Sequence, residues 1–392
     1  MPAPFSAKVD GRIPRRAILA AGFAGQAVEL SAPRDIFSCR YEDLRHVDVC
    51  GVLREAEGAL EDGETLAGFL SYECAMAVEP GLDLPAPPLD LPAAWFATFR
   101  KQSGWSEDGP QPNPPGAAID HGDSAALYAA KAEDVRRRIG AGDVFQVNVS
   151  HLQSARYEAT GGDLIDSLPW EKAISARFGA LFDLGEWAVL SASPELFLSV
   201  ERRTIVSEPI KGTRPRGLTQ AEDEALAREL EADPKDRAEN IMIADLMRND
   251  LAKVCRDGSI REPVICGLRT LPAVHHLYSR IEGKLREGQL FADALRTAFP
   301  CGSVTGAPKL AAMDAIAGIE GEGRGPYCGT VFAITKDRAV ASVAIRTAAI
   351  DLAAGRVDVR SGGGVTILSD PQAEYQEALD KGYLFRLLTE GA

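Results

Sequence analysis

Strand-like and helix-like segments are both abundant in this 392-residue chain, but they do not alternate strictly. A doubly wound parallel sheet needs a regular strand–helix–strand succession, so the pattern predicts an α+β fold instead. Short β-type runs at 47–52, 66–72 and 94–100 lie between Gly/Pro punctuation. Ser124 is a candidate N-cap. Tyr128, Ala132, Val135 and Ile139 then share one helical face, and Gly140 or Gly142 ends the helix. An alternating stretch at 144–149 predicts a strand with Phe145, Val147 and Val149 on one side and Gln146 and Asn148 on the other. As residues alone, that polar pair suits a solvent-facing strand as well as it suits a site.

Strand segments at 188–192 and 196–200 flank Ser193-Pro194-Glu195. A helix is predicted from Asp233-Pro234, an N-cap followed by proline at the first helical position. Others start at Pro308 and at Asp370-Pro371, the last running to about Leu388. Residues 1–120 read as a supporting domain and 121–392 as the main one. The proline-rich stretch 80–92 reads as a surface loop and 104–116, with four prolines, as a linker.

The net charge of −14 and pI near 5.0 give the chain no reason to seek nucleic acid or an anionic membrane surface. An anionic substrate would have to be drawn in by a local cluster of cations. Seven cysteines, an odd number without CxxC spacing, read as reduced thiols in a cytoplasmic protein. No apolar run approaches the ~20 residues that span a bilayer. Arg15-Arg16 followed by the apolar stretch 17–24 loosely resembles a secretory signal, but its core is short and continues into Val28-Glu29-Leu30; a buried strand is the expectation.

Several residues could carry chemistry. Glu239 and Glu377 each sit in an early turn of a predicted helix, where a carboxylate could reach a cleft or simply face water. Two carboxylates plus substrate oxygens and water suit Mg²⁺. Glu377 and Lys381 are four apart on one helix face, which fits a surface ion pair or a metal–substrate pair equally. The run Gly362-Gly363-Gly364 follows a strand and could form a concave nest of N–H groups for an anion. The segment 302–309 lacks the spacing of a nucleotide phosphate loop, yet it brings Ser303 and Thr305 to the start of a helix, a natural anion site. Lys211, at a turn in Pro209-Ile210-Lys211-Gly212-Thr213-Arg214-Pro215-Arg216, is a surface lysine or a nucleophile activated by Arg214 and Arg216.

Taken in order, these elements resemble the chorismate-utilising enzymes: anthranilate, aminodeoxychorismate, isochorismate and salicylate synthases. The likeness covers about residues 121–392. It includes Phe145-Gln146-Val147-Asn148, Ser193-Pro194-Glu195, Lys235-Asp236-Arg237-Ala238-Glu239-Asn240, Arg248-Asn249-Asp250-Leu251, His276-Leu277, the segment 299–309, Ile345-Arg346-Thr347, the triple glycine and Ser369-Asp370-Pro371 to Lys381. The resemblance implies a large sandwich of two antiparallel sheets with outer helices. It implies Mg²⁺ on Glu239 and Glu377, and substrate carboxylates on Arg346, Lys381 and the Gly362–Gly364 amides. Glu195 becomes the acid that protonates the departing C4 hydroxyl, and His276 a histidine near the reacting carbons.

Two positions choose a branch. Gln146 stands where the water-using members carry a lysine base, which favours ammonia as nucleophile. Lys211 stands where anthranilate synthases typically have alanine, and resembles the aminodeoxychorismate branch, where this lysine attacks C2. Leu70-Ser71-Tyr72-Glu73 and Trp95-Phe96 resemble that branch too. No glutaminase nucleophile motif is present, so ammonia is expected from solution or a separate glutamine amidotransferase subunit. Anthranilate synthase component I and a catalytically silent chorismate-binding subunit are the alternatives.

Overall fold

The computed structural model describes residues 14–107, 111–271 and 274–391; the predicted linker falls partly on 108–110, outside the described residues. All pairings between described strands are antiparallel, and one hydrogen-bonded path connects them. At one end, Arg261–Thr270 pairs with Val274–Lys284, which pairs in turn with Thr204–Glu208 and with Ile210–Pro215. The path continues through Leu196–Glu201, Arg338–Val343, Thr330–Ile334 and Thr65–Leu70 to Ala94–Gly104. Val28–Cys39 and Arg16–Leu19 carry it round the edge. It then runs through Phe178–Asp183, Trp187–Ser193, Thr347–Asp351 and Arg356–Val365 to Gln146–Tyr157.

This ribbon folds over on itself. Phe69 and Trp95 of one half meet Phe182 of the other, with ring centroids 6.0 and 5.7 Å apart. They share a core with Leu30, Phe99, Phe178, Val189 and Val331. The fold is α+β as expected, a sandwich of antiparallel sheets whose two sheets are halves of one ribbon. Helices cover the outer faces. Val49–Gly58, Pro234–Ala252 and Phe291–Ala298 bury Leu53, Met247 and Leu295 against one half. Trp170–Ile174 and Tyr383–Glu390 bury Ile174 and Phe385 against the other. Each such side chain removed from water stabilises the fold by about 1.5–3 kcal/mol.

The described part of the first 120 residues joins the ribbon directly, through Thr65–Leu70 on Thr330–Ile334 and Arg16–Leu19 on Phe178–Asp183. The signal-like segment is a strand with Ala17, Ile18 and Leu19 buried. The run at 47–52 is not extended: it leads into a helix that begins at Val49. Asp48 accepts from the Gly51 N–H as N-cap, and Val49 and Leu53, four apart, both reach the core. The C-terminal helix is two, Pro371–Lys381 and Tyr383–Glu390, broken at Gly382.

Other helix ends match the sequence. Ser124 caps Ala125–Ala141, and Gly142 ends it with φ +86°. Asp233 and Asp370 each accept two N–H bonds from the turn they start. Asp250 is a structural group near its helix end, paired with Lys309 at 2.7 Å. Among the described residues no helix is long and apolar enough to cross a membrane. All seven cysteines are buried free thiols.

Candidate active site

The site forms where the strands Gln146–Tyr157 and Arg356–Val365 pair, with Gly364 opposite Asn148, Gly363 opposite Val149 and Gly362 opposite Ser150. The three glycines are extended strand residues and make no concave nest. Their missing side chains provide room instead. A Cβ on Gly364 would lie 2.0 Å from Gln146 Nε2 and 3.0 Å from Lys211 Nζ; one on Gly363 would lie 3.1 Å from Glu374 Oε2 and 3.5 Å from Glu377 Oε1. Charged groups from separate elements therefore converge on bare backbone. Gln146 and Asn148 are buried at 2% and 6% exposure, which rules out a solvent-facing strand. Phe145 does not share the inward face of Val147 and Val149. It precedes the strand, donates its N–H to Ala307 O, and is 65% exposed.

Glu239 projects from Pro234–Ala252. Its Oε2 accepts a long bond from Gln146 Nε2 at 3.5 Å, and its buried Oε1 has no hydrogen-bond partner among the described residues. Burial pushes its carboxyl above the ordinary range, against Lys211 and Lys235. Glu377, on Pro371–Lys381, has Lys381 Nζ at 2.6 Å. Partial desolvation would raise the half-exposed Glu377, but Lys381, Lys211 and Lys235 outweigh it and hold the carboxyl below its usual range. Lys381 also donates to Gly362 O at 3.2 Å. Two participants were missed in the sequence: Lys235 and Glu374, whose ammonium and carboxylate pair at 2.9 Å. The signal was present, since Lys235 lies four residues before Glu239 and Glu374 three before Glu377, each pair sharing a helix face.

Opposite stands Glu195, 3% exposed, between Trp187–Ser193 and Leu196–Glu201. Burial lifts its carboxyl from 4.5 to about 7, with Ser303 and Lys211 opposing. The Ile210 N–H donates to it at 3.4 Å. Lys211, on Ile210–Pro215, interacts electrostatically with Glu195, Glu239 and Glu377, and its amine has no hydrogen bond or ion pair among the described residues. Arg214 and Arg216 do not activate it. Arg214 is engaged by Glu229, Asp233 and Asp236, and Arg216 by Asp223, so their charge is neutralised locally.

His276, on Val274–Lys284, pairs through Nδ1 with the Thr213 hydroxyl at 2.8 Å. Burial, then the Arg346 charge, lowers it to about 4, so the ring is neutral at pH 7. Arg346 sits at φ +49° between Arg338–Val343 and Thr347–Asp351, partly buried and without an acidic partner among the described residues. Thr305 is turned away: its hydroxyl donates to Cys301 O at 3.1 Å and it is fully buried.

The donor set suits a hard divalent cation. Glu239, Glu374 and Glu377 offer only oxygen, and Glu239 Oε1 is a buried acceptor left without a hydrogen-bond partner. No group of three or more His, Cys, Asp or Glu among the described residues forms a ready-made metal cage.

The family model described as "chorismate binding enzyme" matches residues 10–386. The chain belongs to this family. It is 39% identical over 255 residues to aminodeoxychorismate synthase component 1 of Salmonella typhimurium, covering 65% of this chain and 55% of the relative. It is 36% identical over 338 residues to an anthranilate synthase component 1 of Haloarcula marismortui, covering 86% and 61%. The matches thus span little more than half of these relatives. Anthranilate synthase component I of Streptococcus pneumoniae shares the fold, with TM-score 0.73 and 23% identity over 96% of this chain and 90% of that one.

A chorismate-binding enzyme that uses Glu195 as its acid should lose rate as pH rises through about 7, because the proton-donating form is lost. If Glu195 is that acid, Glu195→Gln should cut kcat about a hundredfold and abolish that limb. The same raised carboxyl contributes stability that is present below 4.5 and lost as pH rises through about 7. Thermal unfolding of Glu195→Gln should therefore depend less on pH across that window. An alkaline limb that survives in Glu195→Gln would assign the acid elsewhere.

Proposed function

We propose that this chain aminates chorismate at C4 to give 4-amino-4-deoxychorismate, on the 4-aminobenzoate branch toward folate. The observation that carries this function is Lys211, an unpaired amine against Gly364 with the buried acid Glu195 among its electrostatic partners. Once Lys211 has given up its proton to solvent, its nitrogen attacks C2, the ring double bond shifts, and the C4 hydroxyl leaves as water with the proton of Glu195. Ammonia then attacks C4, the double bond shifts back, and the lysine nitrogen departs. The net change turns chorismate and ammonia into aminodeoxychorismate and water.

Gln146 cannot take a proton from water, which disfavours hydroxylation. Arg346 and Lys381 take substrate carboxylates, and the neutral His276 lies beside the ring. Glu239 and Glu377 would hold Mg²⁺, which supplies charge neutralisation and an anchor for a carboxylate of the dianion. Ammonia comes from a separate glutamine amidotransferase subunit; the Salmonella relative's name, component 1, supports a partner.

The second reading, anthranilate synthase, is favoured by the Haloarcula relative, whose alignment covers 86% of the chain. Pure chain given chorismate, Mg²⁺ and ammonium at high pH should make the 4-amino product, and glutamine alone should not replace ammonium. Anthranilate as the main product, or efficient glutamine use by the isolated chain, would overturn the proposal.

A further inference from the structure

Lys235 lies outside the chemistry above, yet it bridges the two helices that carry the proposed metal ligands. Its Nζ is 2.9 Å from Glu374 Oε1 on Pro371–Lys381 and 4.0 Å from Glu239 Oε1 on its own helix. Glu239 Oε1 is the buried oxygen without a hydrogen-bond partner among the described residues. The ammonium therefore stands between carboxylates of both helices, and its charge also acts on Glu377. We propose that Lys235 is a built-in counter-ion that holds this position until a divalent cation binds, and that it must swing aside for binding, so that it sets the cation affinity of the site. This rests on the metal site proposed above.

Three features support the role. The side chain is 37% exposed, so it has solvent to move into. A lysine carries one mobile charge on a flexible stem, unlike a guanidinium locked in a planar fork. Three carboxylates, Glu239, Glu374 and Glu377, face three ammonium groups, Lys211, Lys235 and Lys381. The cluster is thus balanced without a divalent ion. A divalent cation entering alone would leave two positive charges unbalanced, and removing Lys235 relieves that excess at its nearest point.

The test uses the full chain and Mn²⁺ alone, titrated calorimetrically without substrate. Lys235→Met should bind Mn²⁺ at least tenfold more tightly than wild type, and Lys235→Arg no more tightly. Lys235→Gln is a second uncharged variant should the first misfold. Without metal, Lys235→Met should unfold at lower temperature, and saturating Mn²⁺ should raise its unfolding temperature more than it raises wild type's. If Glu239→Gln abolishes Mn²⁺ binding but Lys235→Met binds like wild type or more weakly, the counter-ion role is wrong and the metal site stands. If no form binds Mn²⁺, the counter-ion role fails while a cation site completed by substrate stands; if Glu239→Gln leaves binding untouched, the metal site fails and the counter-ion role with it.

Discussion

Glu239→Ala and Glu377→Ala should each lower turnover of chorismate by about a thousandfold or more, equivalent to ~4 kcal/mol of barrier, while the fold survives. Each substitution removes a carboxylate proposed to hold Mg²⁺, and with it the means of neutralising a dianion inside an acidic protein. Stability should move little, for different reasons at the two sites. Glu377 is half-exposed on a helix, and alanine is the best helix former. Glu239 is buried with one oxygen unpartnered among the described residues, and its carboxyl is raised by burial, so truncation removes a group that is itself costly to bury. Kinetics at several Mg²⁺ concentrations, paired with thermal unfolding, check both halves. Near-wild-type rates at low Mg²⁺ in both variants would remove these residues from the metal site.

The sequence carried what is encoded locally. Capped helix starts at Ser124, Asp233 and Asp370 needed only a polar residue followed by the right periodicity, and the structure keeps all three. Because those caps fix the helix phase, they also direct Glu239 and Glu377 toward the glycine strand. What was not legible depends on long-range contacts. Phe145 continues the alternation of Val147 and Val149 on paper, but the ladder begins one residue later and leaves it outside. Glycines at 362–364 suit a nest or a strand equally until the partner strand at 148–150 is known. Arg214 and Arg216 looked free to activate Lys211 because their acidic partners lie on the following helices. The α+β class was readable from the lack of alternation, whereas the continuity of the two sheets depends on Arg16–Leu19 bridging Val28–Cys39 and Phe178–Asp183.

Lys211→Ala should cost about a hundredfold or more in rate, ~3 kcal/mol, and should change what is made. The substitution removes the proposed nucleophile and, in the resting site, a charge that interacts with Glu195, Glu239 and Glu377. Ammonia would then have to attack the ring directly. Direct attack at C2 gives the 2-amino product that leads toward anthranilate, so the residual activity should shift in that direction. Packing should tolerate the change, because the amine has no hydrogen bond or ion pair to lose among the described residues. Chromatographic separation of the 4-amino and 2-amino products reads both effects. An unchanged rate of 4-amino product from Lys211→Ala would contradict covalent catalysis by this residue.

The most direct measurement is peptide mass spectrometry of wild-type chain treated with chorismate and Mg²⁺ without ammonia. Attack at C2 with loss of the C4 hydroxyl predicts an adduct on Lys211 with the mass of chorismate less one water, which disappears when ammonium is added. An unmodified Lys211, with anthranilate or 2-amino-2-deoxychorismate as the main product once ammonium is supplied, would contradict it.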